Sequence, residues 1–205
     1  MRKLTFIGMA VAGLLLFALP ALAVPSPIEQ LKRSVNEVLD VLRDKSQTGQ
    51  PRREKLSKLI RARFDFNIMS QRTLGKYWKD ATPQDQARFI ALYSDLLEAS
   101  YIGRIEAYTD ETVHFTAERI DGDSADVDSY VHAGNVDIPI NYRLVLAKDQ
   151  WLVYDVIIEE VSLIRNFRNS YGEIVRKEGY AGLFKRMEEK IRELRSQNGD
   201  KGGKG

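Results

Sequence analysis

Hydrophobic side chains recur along this chain at helical spacing, switch to alternation past the middle, and return to helical spacing near the end. Ile28, Leu31, Val35, Val38, Leu39 and Leu42 fall three or four residues apart, which predicts an amphipathic helix over about 27–45. SQTGQP at 46–51 is turn chemistry. A shorter helix follows, with Leu56, Leu59, Ile60 and Phe64 on its inner side. Asp65 or Asn67 caps a third, which carries Ile68, Met69 and Leu74 and stops at Gly75. Thr82-Pro83-Gln84-Asp85 combines an N-cap hydroxyl, a proline in the first turn and an acid at N3. A long helix therefore starts there and runs to about 108, showing Phe89, Leu92, Tyr93, Leu96, Leu97, Tyr101, Ile105 and Tyr108 on one face.

From Val113 the period is two. Val113, Phe115 and Ala117 alternate, Asp121-Gly122-Asp123 makes a hairpin turn, and a second strand runs through about 124–132. Val136, Ile138, Ile140, Tyr142, Leu144 and Leu146 share one face of a third strand, opposite Asp137, Asn141 and Arg143. Pro139 lacks an N–H and implies an edge position or a bulge. Lys148-Asp149-Gln150 turns the chain into a fourth strand from Trp151, apolar on both faces. Ser162 caps a helix holding Leu163, Ile164, Phe167, Tyr171, Ile174 and Val175. Gly179 ends it, and a final helix carries Leu183, Phe184, Met187, Ile191 and Leu194. Helices, a four-stranded antiparallel meander and further helices make an α+β domain, a curved sheet with helices on its concave side.

The ends change the picture more than the composition does. Arg2 and Lys3, the apolar run Leu4–Leu19, Pro20 and the small-x-small Ala21-Leu22-Ala23 match a secretory signal peptide cleaved after Ala23. The run is short for a membrane span of about 20 residues. The expected organisation is a signal peptide over 1–23, one domain over 24–195 and a disordered tail over 196–205, whose SQNGDKGGKG has no apolar side chain. Without Arg2 and Lys3 the 31 basic residues become 29, matching the 29 acidic ones. No basic block interleaved with aromatics is present, so nucleic acid is excluded as a partner. The chain has no Cys, which rules out a lipoprotein, a disulfide framework and thiol catalysis.

Candidate chemistry is sparse. His114 and His132 lie in predicted strands without a metal-ligand spacing and read as surface residues, so no metal is expected. No G-x-S-x-G, Walker or GxGxxG pattern occurs. Asp155 stands mid-strand among Trp, Val, Tyr and Ile, where a carboxylate serves either as a general base in an isomerase-like pocket or as a structural acceptor locking the strand to a helix. The structural role is favoured, with Arg72, Arg165 and Arg168 as candidate partners. A third reading is an interaction module that docks a partner on an aromatic stripe of the long helix.

Two stretches together resemble a known family. Residues 64–101 carry FDF–M–LGKYW–T–Q–F–L–Y, and residues 151–182 carry W–VYDV–IEEVS–NFR–Y–I–KEGYAG. Both are similar to the MlaC family, also called toluene-tolerance auxiliary proteins, over about 28–195. Glu160 departs from that pattern, where Gly is usual in "EGVS", and so does Asn169-Ser170, where Gln is usual after "NYR". The resemblance implies an NTF2-like curved sheet of about four strands enclosing an apolar cavity with N- and C-terminal helices. It implies a non-enzymatic periplasmic carrier with no cofactor, its cargo a glycerophospholipid. Its partners would be an inner-membrane ABC transporter with its substrate-binding membrane component and an outer-membrane lipoprotein–porin complex. Nothing calls for more than a monomer. Apolar residues on facing elements are the lining candidates: Met69 and Leu74 from the third helix, Leu97, Tyr101 and Ile105 from the long helix, Tyr142, Leu144, Val153 and Val156 from the sheet, and Phe167 and Tyr171 from the helix after it. Tyr101 and Tyr142 add a phenol able to pair with ester or phosphate oxygens.

Overall fold

The computed structural model describes residues 24–107 and 111–202; the expected signal peptide lies outside the described residues. Helices α1 (Pro27–Arg43), α2 (Gly49–Arg61), α3 (Phe66–Leu74), α4 (Lys76–Asp80) and α5 (Pro83–Glu106) precede strands β1 (Thr112–Asp121), β2 (Ser124–Ala133), β3 (Val136–Ala147), β4 (Gln150–Ile158) and β5 (Val161–Ser162). Helix α6 (Leu163–Gly202) closes the chain. The Asp65 and Thr82 caps read from the sequence are in place, and Ser26 adds one that was not. Ser26 and Glu29 form a capping box on α1, Asp65 accepts from the Ile68 N–H at the start of α3, and Thr82 accepts from the Asp85 N–H on α5. At Gly179 the backbone of α6 leaves helical geometry (φ 69°), which kinks the helix where the sequence places a break.

Two short elements go beyond the pattern: α4, and β5, which makes the sheet five-stranded rather than four-stranded. Neither is long enough to show a period. The last helix also continues past residue 195, where a tail was expected. The Asn198 amide donates to the Ala99 carbonyl (2.8 Å), which ties that stretch to α5.

The sheet is an antiparallel meander in the order β1-β2-β3-β4-β5. Pro139 sits where β3 outruns its neighbour, since β4 ends opposite Ile140. Its missing N–H falls on that unpaired side, and its carbonyl accepts from the Glu159 N–H (3.1 Å). The outer edge of β4 is covered in three pieces. The Gln30 side-chain amide exchanges two hydrogen bonds with the Trp151 backbone (3.1 and 3.0 Å). The Val153 N–H and carbonyl bond to Arg63 and Asp65 (2.8 and 2.9 Å), and β5 pairs with Ile157 and Ile158. A bare edge would template aggregation, and this one is closed.

β4 carries a bulge. Arg143 pairs with Asp155 while the next residue, Leu144, pairs with Val153, which leaves Tyr154 as the extra residue. Trp151, Val153, Val156 and Ile158 consequently stand opposite Leu146, Leu144, Tyr142 and Ile140 on the inner face. Asp155 is turned to the outer face with Arg143 and is buried to 2 % exposure. It accepts from Ser162 Oγ (2.7 Å) and the Ile164 N–H (3.2 Å), and Arg143 Nη1 is 3.7 Å away. Ser162 Oγ in turn accepts from the Arg165 N–H (3.1 Å), capping α6. The structural role holds, but its cation is Arg143. Arg72 lies over the Tyr154 ring instead, and Arg168 donates to the Arg72 carbonyl.

Two predictions follow from this region. Glu159 and Glu160 both take positive φ (48° and 69°) in the tight turn between β4 and β5. Glu160→Gly relieves a left-handed non-glycine residue, and it should raise stability by about 0.5–1 kcal/mol in urea unfolding. Asp155→Ala strands the Ser162 hydroxyl and Ile164 N–H, and it should cost about 2–4 kcal/mol in the same assay. A neutral result would remove the anchor role.

Candidate functional site: an apolar cavity at one end of the sheet

The inner face of the sheet is treated differently at its two ends. Toward the β1–β2 and β3–β4 turns, Ala125, Val127, Leu144, Trp151 and Val153 belong to the main core. Phe89, Tyr93, Phe167 and Tyr171 join that core through aromatic contacts at 5.2–6.4 Å between ring centroids. Met69, Leu74, Phe184 and Met187 pack there too. Toward the β2–β3 turn the helices stand off, and the space between is a cavity of about 530 Å³. That lies within the roughly 300–1,000 Å³ of ordinary ligand sites.

Sheet register sets the floor of this cavity. Val113, Val131 and Ile138 form one row across β1–β3, Ile140 and Ile158 the next, Tyr142 and Val156 the third, and Val153 marks the inner limit. From the Ile138 row to the Leu144–Val153 row is about 20 Å at ~3.3 Å per residue. α1 supplies Leu31, Val35, Val38, Leu39 and Leu42 as one wall, α2 supplies Leu59 and Ile60, and the second half of α5 supplies Leu97, Tyr101, Ile102 and Ile105. Phe64, Phe66 and Leu163 complete the apolar lining.

Charged and hydroxylic groups complete the lining. Arg61 reaches Glu98 (2.6 Å), Asp95 (2.6 Å) and Ser94 Oγ (3.0 Å). Burial opposes its charge, but the hydrogen bonds to Asp95 and Glu98 hold the guanidinium above its ordinary value. Arg63 lies 3.7 Å from Glu37, and the Arg104 guanidinium is 5.8 Å from the centre of the Tyr101 ring. Burial pushes the Tyr101 and Tyr142 phenols above their ordinary range, so both stay protonated and able to donate at neutral pH.

Of the candidates named from sequence, Leu97, Tyr101, Ile105, Tyr142, Val153 and Val156 line the cavity. Met69, Leu74, Leu144, Phe167 and Tyr171 do not; they belong to or pack against the main core. Sequence reasoning passed over the α1 wall, because its stripe was read as ordinary helix packing. Its one signal is an apolar face wide enough to include both Val35 and Leu39 beside Val38 and Leu42. The general-base reading of Asp155 is overturned for this cavity: the carboxylate faces the other side of the sheet and is absent from the lining. The stripe expected to dock a partner on α5 is instead buried at Phe89, Tyr93, Leu96 and Leu97.

His114 stacks on Tyr130 (4.9 Å) and His132 contacts Asp137 (2.6 Å), both on the exposed sheet face. Among the described residues no three His, Asp or Glu side chains converge to hold a metal ion, and no helix is long and apolar enough to cross a membrane.

Comparison with known proteins agrees with this architecture. The family model described as MlaC protein matches residues 32–189. The intermembrane phospholipid transport system binding protein MlaC of Haemophilus influenzae is 21% identical over 131 residues, and the match spans 61% of this chain and 61% of that relative. Among solved structures, the phospholipid-binding protein from Ralstonia solanacearum, determined in complex with a phospholipid, superimposes with a TM-score of 0.74 at 24% identity. The superposition covers 81% of this chain and 97% of that one, and at that identity the likeness is one of fold.

Removing side-chain atoms should cost different amounts at the two ends of the sheet face. Leu144→Ala opens a hole in the closed core and should lose about 3–5 kcal/mol. Ile140→Ala, whose side chain already faces the cavity, should lose about 1 kcal/mol. Equal losses in denaturant unfolding would mean that the cavity is filled by protein in solution.

Proposed function

The chain belongs to the MlaC family, and we propose that it is a periplasmic carrier that holds glycerophospholipid acyl chains in the cavity between the sheet, α1, α2 and α5. The observation that carries this reading is the cavity itself: a slot about 20 Å long whose lining is mostly aliphatic and aromatic, with few charged side chains. An acyl chain occupies half of a hydrocarbon core about 30 Å thick, roughly 15 Å, so it fits the slot lengthwise. The name of the Haemophilus relative and the phospholipid held by the Ralstonia protein support the same cargo.

The energetics define the task. Two acyl chains hold on the order of 30 methylenes, and exposing each to water costs about 0.8 kcal/mol. A lipid with bare tails would face a penalty on the order of 20 kcal/mol in an aqueous compartment, so it moves only if its tails are enclosed. The carrier shuttles lipid between complexes of the outer and inner membranes and thereby maintains the asymmetry of the outer membrane. The balance of 29 acidic and 29 basic residues beyond the signal segment favours docking and release over adhesion to an anionic bilayer. No bond is made or broken, and Asp155 acts as a structural anchor.

Native mass spectrometry of the detergent-free protein, followed by organic extraction, tests the reading. The expected result is a mass excess that extracts as diacyl glycerophospholipid. Ile140→Trp fills the middle of the slot and should reduce bound lipid by at least about tenfold (~1.4 kcal/mol) while leaving the unfolding midpoint close to wild type. A protein free of lipid that takes none up from vesicles would sink the carrier reading.

A further inference from the structure

We propose that lipid passes into and out of the cavity along the seam between α2 and α5, which ion pairs clasp at both ends. This rests on the carrier reading and adds a route and a device to it. α2 forms cavity wall with Leu59 and Ile60, yet Leu56 is its one fully buried side chain. Leu56 joins Val41 and Ile102 in a small cluster separate from the main core. The helix begins at Gly49 with φ +64°, and Thr48 before it makes no side-chain cap. Weak capping and a satellite cluster mark a segment at the low end of local stability.

Charge holds α2 against α5. Arg53 Nη2 meets Glu106 Oε2 at 2.6 Å, and Arg61 meets Asp95 and Glu98 at 2.6 Å each. The same number of residues separates Arg53 from Arg61 and Glu98 from Glu106, about 12 Å of helix at ~1.5 Å per residue. The two helices therefore run antiparallel with one clasp at each end, and Leu56 and Ile102 are the apolar contact between the clasps. These side chains keep 14–36% of their surface exposed, so water and salt reach the clasps and screen them.

Beyond the seam lies a second, polar cleft of about 750 Å³ between α2, α5 and the end of α6. It shares Ser57, Arg61, Glu98 and Ile102 with the apolar cavity. Parting the seam joins an apolar slot to an open cleft lined by Arg53, Lys58, Arg61 and Arg195 together with Glu54 and Glu98, four cations against two carboxylates. That arrangement lets tails enter sideways while a phosphate stays among cations in water.

The chain has no cysteine, so Arg53→Cys with Glu106→Cys supplies the only thiols for a cleavable bis-methanethiosulfonate crosslinker. Transfer of a fluorescent phosphatidylethanolamine from loaded protein to phosphatidylcholine vesicles should fall at least about tenfold when the seam is linked, and return with reductant. Arg53→Gln with Arg61→Gln should speed transfer by about five- to twenty-fold and flatten its dependence on salt. Linked protein that transfers at the unlinked rate overturns the seam route and leaves the carrier reading standing. Wild-type protein that takes up no phospholipid overturns both. Should the cysteine pair not fold, amide hydrogen exchange on the native chain decides: α2 is expected to exchange faster than the first half of α5, and equal protection overturns the proposal.

Discussion

The extra residue in β4 is the constraint on which the rest of the structure turns. Without Tyr154 as a bulge, strict alternation from Trp151 and Val153 would carry Asp155 and Ile157 to the inner face and put Val156 and Ile158 outside. A carboxylate would then point into an aliphatic slot, where burial without a partner costs several kcal/mol. With the bulge, two apolar pairs that straddle the bulge share one face, and Asp155 meets Ser162, Ile164 and Arg143 on the other. One irregularity thereby sets the slot's floor and fixes the start of α6, the helix whose aromatics pack into the main core.

That division of one sheet face into a packed end and a lined end separates two requirements that conflict. A fold needs dense contact, and a site for a long apolar molecule needs contact withheld. Here the packed core takes the aromatic residues of α5 and α6, Phe89, Tyr93, Phe167 and Tyr171, together with Met69 and Leu74 of α3. The lined end takes aliphatic residues of α1, α2 and the later turns of α5. α5 runs through both, so the helix that anchors the core is also one wall of the cavity.

Most of the architecture was legible because its signals are local and periodic. Thr82, Asp65 and Ser162 announce helix starts, Gly179 a break, and Pro139 a strand without a partner on one side. The bulge, the two-residue β5 and the short α4 leave no period to read, and each is decided by tertiary pairing. The lining was half legible for a different reason. Tyr142 and Leu144 sit two residues apart on the same face of one strand, and the alternation that places them is the same, yet one meets the cavity and the other is sealed in the core. What separates them is the reach of side chains from other elements, and their shared position on the alternating pattern does not carry that information. The same limit explains why α1, patterned like any amphipathic helix, was not recognised as a wall.

The distribution of charge around the cavity follows from how strongly each wall must be held. Walls made by the sheet, α1 and α5 are continuous with the main core, and their position is fixed by burial. α2 is not, and an apolar seam against α5 strong enough to hold it permanently would need more than Leu56 and Ile102. Part-exposed ion pairs supply position without permanence: water and salt screen them, yet Arg53 and Arg61 fix the register of the two helices by geometry. Placing the weakest cohesion where a cavity meets a solvated cleft confines opening to that seam. The bulged sheet and the aromatic core on the far side then keep their shape while the wall moves.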